Sequence, residues 1–334
     1  MTLRALQSFA RLLAIMLPVG AVVAAPSLAM TDPVETAPPV GVAADAGAEI
    51  LADEPAAEII ETIEDRYERM TVPVTIGGAG PFKFVVDTGA QATAVSQRVA
   101  QQLDLPSAGQ ATIVAMASRR AVEMVDMDGL GLASRIIDGI EAPVLLARNM
   151  GGDGIIGLDT LQSLRVLIDF PAQTITLVDA DANIGRGGYE IVVRARRKLG
   201  QLIITDAKVD GVKTVLIIDT GAQSSIGNRA LQKRLRNRAA TPMTAIDVNG
   251  VLIEGDIGIA RKVVLEDLAL NDVAIAFADS PAFASLGLAD TPALSLGMSH
   301  LAMFDRVAID FAKRRIMFDV PRGAGWRQRI PGRF

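Results

Sequence analysis

Phe84–Gln91 reads FVVDTGAQ, and Leu216–Gln223 reads LIIDTGAQ. Each stretch places an aspartate, Asp87 or Asp219, directly after an apolar run with the character of a buried strand. A carboxylate there is costly unless something satisfies it or uses it. Two carboxyls brought into contact cannot both ionise cheaply, so they share a proton and titrate as a pair. One member can take a proton from a water while the other polarises a carbonyl, which is acid–base chemistry suited to hydrolysis. A single Asp-Thr-Gly is no more than a tight turn, in which Asp caps and Gly supplies a positive φ. Two copies sharing five residues, each between an apolar strand and a helical pattern, are a far more specific signal.

Other chemistries are closed off by composition. The chain has no cysteine and one histidine, His300. That excludes disulfides, thiolate metal sites, a Cys nucleophile and a zinc site built on several histidines, and a Ser-His-Asp triad would have to run through His300. No metal and no cofactor is expected.

The elements that must hold the two aspartates are themselves repeated. The first copy runs VPVTI, a Gly-rich turn, FKFVV and DTGAQ; the second runs LIITDAKV, a turn at Asp210-Gly211, KTVLII and DTGAQ. Val72, Val74 and Ile76 alternate as a half-buried strand should. Short helices are predicted from Ser96 and from Asn228, both good N-caps. The copies close alike: Gly157 corresponds to Gly297, Leu161 to Leu301, Thr160 to His300, and IDF recurs at Ile168 and Ile309. Asp159 and Ser299 are expected to cap a short helix after each of those glycines, and Asp169 and Asp310 to serve strand edges. Between these anchors each copy has a hairpin of its own. The first should turn near Ser118, Arg119 and Arg120, with solvated arginines, and the second at Asn249-Gly250 as a two-residue turn.

Strand, DTGA, helix and then an apolar-apolar-Gly turn, in two tandem copies, is similar to the retropepsin-like aspartic proteases. The resemblance rests on FVVDTGAQ with GIIG and on IIDTGAQSSI with LGMSHLAMFDRVAIDF, and it spans both copies. It implies a mainly β fold of two β-barrel lobes related by a pseudo-twofold axis, with few short helices. It implies that Asp87 and Asp219 are catalytic and that Thr88, Gly89, Ala90, Thr220, Gly221 and Ala222 form the supporting turns. Ile156, Gly157, Leu296 and Gly297 would form the supporting loops, and Ser118, Arg119, Arg120, Asn249 and Gly250 would sit on flaps over an extended peptide. The implied activity is that of an aspartic endopeptidase. The chain departs from the pattern in three ways. Ser295 stands where an aliphatic residue is usual, which would disturb the packing of the second supporting loop. Neither hairpin carries a tyrosine. Ala90 and Ala222 offer no hydroxyl to the carboxylates, which predicts a less acidic dyad and a mild pH optimum.

The rest of the chain sets the context. Arg4 and Arg11, the apolar run Leu12–Ala25 and the small-x-small pattern Ser27-Leu28-Ala29 predict a signal peptide over residues 1–29 and a periplasmic or secreted protein; an uncleaved anchor is the alternative. Stable membrane insertion is not expected after cleavage. Residues 30–70 carry 11 acidic residues and two arginines and read as an Ala/Pro-rich linker, with a short helix over Ala56–Met70. The lobes are placed at 71–179 and 189–320, with a basic tail at 321–334. The nearly neutral lobes argue against a nucleic-acid partner. The expected partner is a polypeptide substrate, and the expected state a monomer with an internal pseudo-dimer, a domain-swapped dimer being the alternative. Two other readings fit part of the pattern: a non-catalytic peptide binder of the same fold, and an actin/Hsp70-like ATPase. The second suits these hairpin-rich copies poorly, because such proteins alternate strands with long helices.

Overall fold

The computed structural model describes residues 12–14, 58–61, 63–64, 70–132, 135–179, 189, 191–235 and 241–321. Most of the leader and acidic linker, the connector around Gly185 and nearly all of the basic tail lie outside the described residues. The fold is mainly β, with six short helices among the described residues.

Both lobes are built on one plan. In lobe 1, Met70–Ile76 and Ala79–Val86 form an antiparallel hairpin that ends at Asp87. The alternation read at Val72, Val74 and Ile76 is real: all three side chains are buried. The short strand Gly154–Ile156 slots in parallel to Ala79–Val86 and antiparallel to Ala94–Ser96. In lobe 2, Val212–Ile218 ends at Asp219, and Ala293–Leu296 slots in parallel to it and antiparallel to Ser225–Asn228. A helix follows each aspartate turn, Gln97–Gln102 and Arg229–Arg234. Ser96 Oγ accepts from Val99 N–H at 3.2 Å, and Asn228 Oδ1 accepts from Leu231 N–H at 2.9 Å, so both N-caps are made.

The other pair of predicted caps is not. Gly157 and Gly297 occupy the N-cap positions before Leu158–Leu161 and Met298–Leu301, with no side-chain cap bond. Asp159 lies within the first turn and instead accepts from Thr93 N–H and Oγ1–H, at 2.9 and 2.6 Å.

Each lobe carries a hairpin at the place expected for a flap: Ser107–Val114 with Arg119–Met127, and Thr241–Ile246 with Leu252–Leu265. The first turns over Ala115–Ser118, closed by Ala115 N–H to Ser118 O at 2.8 Å, so Met116 and Ala117 are the tip and Arg119 and Arg120 belong to the returning strand. The second is a five-residue loop, not a two-residue turn. Asp247 Oδ1 accepts from Asn249 N–H and Val251 N–H at 3.0 and 2.9 Å, and this side-chain bridge holds a wider loop in which Gly250 takes φ 77°.

A third, six-stranded sheet joins the lobes. It takes Leu164–Asp169 and Thr174–Asp179 from lobe 1 and Ile191–Arg194, Arg306–Asp310 and Arg315–Asp319 from lobe 2. One of its two edge strands is Glu58–Glu61, paired antiparallel to Thr174–Asp179. The helix expected over Ala56–Met70 is therefore replaced by strands, Glu58–Glu61 and Ile63–Glu64. The β-branched Ile59, Ile60 and Ile63 suit a strand, and the edge of Thr174–Asp179 and the start of Met70–Ile76 supply the partners. Leu12–Ala14, in the predicted leader, runs parallel to Ser107–Val114. No helix among the described residues is long and apolar enough to cross a membrane.

Candidate active site

Each aspartate turn is held by the same set of bonds. Asp87 N–H donates to Ile156 O at 3.0 Å, and Asp219 N–H to Leu296 O at 3.1 Å. Leu158 N–H returns to Ala90 O at 2.9 Å, and Met298 N–H to Ala222 O at 2.8 Å. The apolar-apolar-Gly segments thus clamp both sides of each turn. Gly157 and Gly297 must be glycine because a Cβ at either would run into backbone atoms of the facing turn.

The two turns meet. Thr88 Oγ1 donates to Ile218 O at 2.9 Å, and Thr220 Oγ1 donates to Val86 O at 2.7 Å. Thr88 N–H donates to Thr220 Oγ1 at 3.0 Å, and Thr220 N–H to Thr88 Oγ1 at 3.2 Å. Each threonine therefore reaches across to the last strand of the other lobe, and the crossed bonds fix the two aspartates in one register. Gly89 lies against the Asp219 carboxyl and Gly221 against the Asp87 carboxyl, so closely that a Cβ at either position would overlap the facing carboxyl. This close approach is the physical need for glycine in both turns.

The carboxyls themselves are buried, Asp87 at 0% and Asp219 at 2% exposure. Asp87 Oδ1 accepts from Gly89 N–H and Ala90 N–H at 2.7 and 2.9 Å; Asp219 Oδ1 accepts from Gly221 N–H and Ala222 N–H, both at 3.1 Å. Asp219 also takes a donor from the strand of its supporting loop. Ser295 Oγ donates to Asp219 Oδ2 at 2.9 Å, whereas the matching residue of lobe 1 is Ile155. Ser295 is fully buried, and its loop packs as Gly154–Ile156 does. The disturbance expected there is absent, because the hydroxyl finds a carboxylate and leaves no unmet polar group. The hydroxyl missing at Ala222 is supplied from elsewhere in the chain.

The hairpins close over this centre and interlock. Met116, at the tip of the first, packs in lobe 2 among Ile203, Ile217, Ile226 and Phe283. Val248, at the tip of the second, packs in lobe 1 among Val85, Ala90, Ile155 and Ala115. Polar bonds join the tips: Ser118 Oγ–H and Ala117 N–H donate to Asp247 Oδ2 at 2.7 and 3.1 Å, and Asn249 Nδ2–H donates to Ser118 Oγ at 2.9 Å. Arg120 donates to Asn249 O at 3.1 Å, so it bridges the hairpins and is not merely solvated, while Arg119 is exposed. Two cavities occupy equivalent places in the lobes. One, of about 510 Å³, lies between Ala100, Val122 and Leu145 and is bounded by Val248; the other, of about 470 Å³, lies between Arg229, Ala278 and Phe283 and is bounded by Ala117.

Three contributors escaped the sequence reading. Gln201, fully buried, donates from Nε2 to Gly89 O at 2.7 Å and so ties the strand Gln201–Val209 of lobe 2 to the turn of lobe 1. Asp247 and Met116 carry no motif; only their place in hairpin tips could have marked them. His300 lies where its match to Thr160 puts it. Its Nδ1 is 2.8 Å from Ser225 Oγ, which accepts from Gly297 N–H at 3.0 Å. Burial pushes its pKa below the ordinary 6.5. No cluster of His, Cys, Asp and Glu that could hold a metal ion occurs among the described residues.

Residues 72–163 match the family model described as "gag-polyprotein putative aspartyl protease", and residues 205–300 match the one described as "Aspartyl protease". No curated protein matches the chain. The two matches fall one on each lobe, each containing its DTGAQ turn, and together they cover more than half of the sequence: the chain belongs to the retropepsin-like aspartic protease family, with two lobes in tandem.

Proposed function

We propose that the chain is an aspartic endopeptidase that hydrolyses peptide bonds in an extended polypeptide, using a water activated between Asp87 and Asp219. The observation that carries this reading is the crossed threonine pair, which seats the two buried carboxyls against each other's turns. The water adds to the scissile carbonyl carbon and gives its proton to the ionised carboxyl, while the protonated carboxyl hands its proton to the carbonyl oxygen. The C–N bond then breaks as the first carboxyl returns its proton to the leaving nitrogen and the second recovers one from the diol. Neither a metal nor a nucleophilic side chain takes part.

Substrate reaches the dyad only when the hairpins part. The peptide would displace Met116 and Val248 from the apolar sites they fill in the closed form, and those sites would receive its side chains. The start of the chain, with Arg4 and Arg11 ahead of an apolar run, supports action outside the cytoplasm on an unfolded or extended segment.

The test is cleavage of an unfolded polypeptide by the full chain across acidic to neutral pH, beside Asp87→Asn and Asp219→Asn. Each variant should lose at least about 10²–10⁴-fold in kcat while keeping the wild-type circular dichroism. A wild type that cuts nothing, or an Asn variant that cuts as well, removes the reading in favour of a peptide binder.

A further inference from the structure

We infer that the dyad is electrically asymmetric and that Ser295 sets the asymmetry: in the resting site Asp219 carries the negative charge and Asp87 holds the shared proton. The inference rests on reading Asp87 and Asp219 as one acid–base pair. It assigns them separate tasks. Asp219 takes the proton from the water, and Asp87 gives its own to the carbonyl oxygen.

The Oδ1 oxygens do not distinguish the partners strongly. Each Oδ1 accepts two backbone N–H groups of its own turn, slightly shorter at Asp87, at 2.7 and 2.9 Å against 3.1 Å twice. The residues that the two supporting strands set at this position differ in kind. Asp219 Oδ2 receives the Ser295 hydroxyl at 2.9 Å in a fully buried contact. At the same place beside Asp87 stands Ile155, packed in the apolar cluster of Val85, Ala90 and Val248. A donor to the charged form favours ionisation, and an apolar wall favours the neutral acid. A whole charge-assisted hydrogen bond outweighs a few tenths of an ångström in two others.

Ser295 is rigidly placed for this task. Its strand is hydrogen-bonded on both sides, to Ile217 in parallel and to Ile226 in antiparallel pairing. Other ionisable groups on the elements around Asp219 are engaged elsewhere. His300, on the helix after Gly297, pairs with Ser225, and Asp247 of the hairpin tip is bound by Ala117, Ser118, Asn249 and Val251. Asp87, on the facing turn, is the group that shares the proton. Ser295 is thus a positioning residue for charge, acting through Asp219.

Two measurements on the full chain test this. In the pH profile of kcat/KM, Ser295→Ala should move the acid limb upward by about one pH unit, since one hydrogen bond to the ionised form is lost. Ser295→Thr, which keeps the hydroxyl, should restore the limb. A purely structural serine would lower activity evenly and leave the limb in place, and that result overturns the inference. The second measurement follows the carboxyl carbons of ¹³C-aspartate by NMR, with Asp87→Asn and Asp219→Asn for assignment. The Asp219 carbon should stay ionised to lower pH than that of Asp87, and Ser295→Ala should narrow the gap. An Asp87 carbon that stays ionised to the lower pH overturns the inference. The carbon titration reads proton placement whether or not the chain cuts peptide, so failure of the protease reading and failure of this one are separate outcomes.

Discussion

Thr93 and Ser225 do one job with different neighbours. Each hydroxyl accepts the N–H of its lobe's glycine, Gly157 at 3.1 Å and Gly297 at 3.0 Å. Thr93 is backed by Thr160 at 2.8 Å, and Ser225 by His300 at 2.8 Å. The histidine brings a pH dependence that the threonine does not. Burial pushes its pKa below 6.5, so the folded chain holds it neutral while the unfolded chain protonates normally. Its contribution is therefore complete above about pH 6.5 and is lost as pH falls toward the folded value. His300→Thr should remove that component: urea unfolding at pH 7.5 and 5.5 should show a smaller acid loss in the variant than in the parent, and equal losses would refute the assignment. The crossed threonines allow a second test. Thr88→Val deprives Ile218 O and Thr220 N–H of their partner at one stroke, which should cost about 1–3 kcal/mol in denaturant unfolding. It should also lower kcat, because the dyad loses its register.

The hairpins show how much of an element a sequence discloses. Their existence was legible from alternation and turn residues, and the helices after each turn from Ser96 and Asn228. Their tips were not. Met116 carries no motif, and the core it enters belongs to the other lobe. Asp247 carries none either, yet its carboxylate holds the loop and accepts from Ala117 and Ser118 of the opposite tip. Ser295 looked like a flaw for the same reason. Local pattern gives no sign that its hydroxyl meets a carboxylate 76 residues earlier in the chain. What was readable is what repeats within each lobe; what was hidden is what passes between distant segments. The tip contact makes its own prediction. Ser118→Ala removes one bond to Asp247 and one from Asn249. At about 1 kcal/mol net, opening should become roughly five-fold more frequent. Amide hydrogen exchange across residues 107–127 and 241–252 should speed by that factor while the rest of both lobes is unchanged. Exchange that stays at the parental rate would show that Met116 and Val248 alone hold the hairpins shut.

At the scale of the whole molecule, the six-stranded sheet decides whether the two lobes behave as one body. Its central seam pairs Leu164–Asp169 of lobe 1 with Arg306–Asp310 of lobe 2, and Arg165 stands directly opposite Asp310. Arg165 Nε and Nη2 both bond Asp310 Oδ2, at 3.0 and 2.9 Å, and Lys313 N–H reaches Oδ1 at 2.8 Å. Asp310 is fully buried and Arg165 nearly so. Charges taken this far from water are expensive, and the pair roughly offsets its own desolvation. Removing one half of it is another matter: Asp310→Ala takes the carboxylate from a buried guanidinium and should cost about 3–5 kcal/mol, whereas Arg165→Met with Asp310→Leu should recover most of that loss. Because the pair lies on the seam, the loss should fall on both lobes together. The absence of cysteine makes this measurable, since a fluorophore can be placed on Gln110→Cys in lobe 1 or on Lys208→Cys in lobe 2, both exposed. In urea the two labels should report one midpoint in the parent and one lower, still shared midpoint in Asp310→Ala. Midpoints that separate in the parent would mean that each lobe folds by itself and that the dyad is assembled only afterwards, by docking.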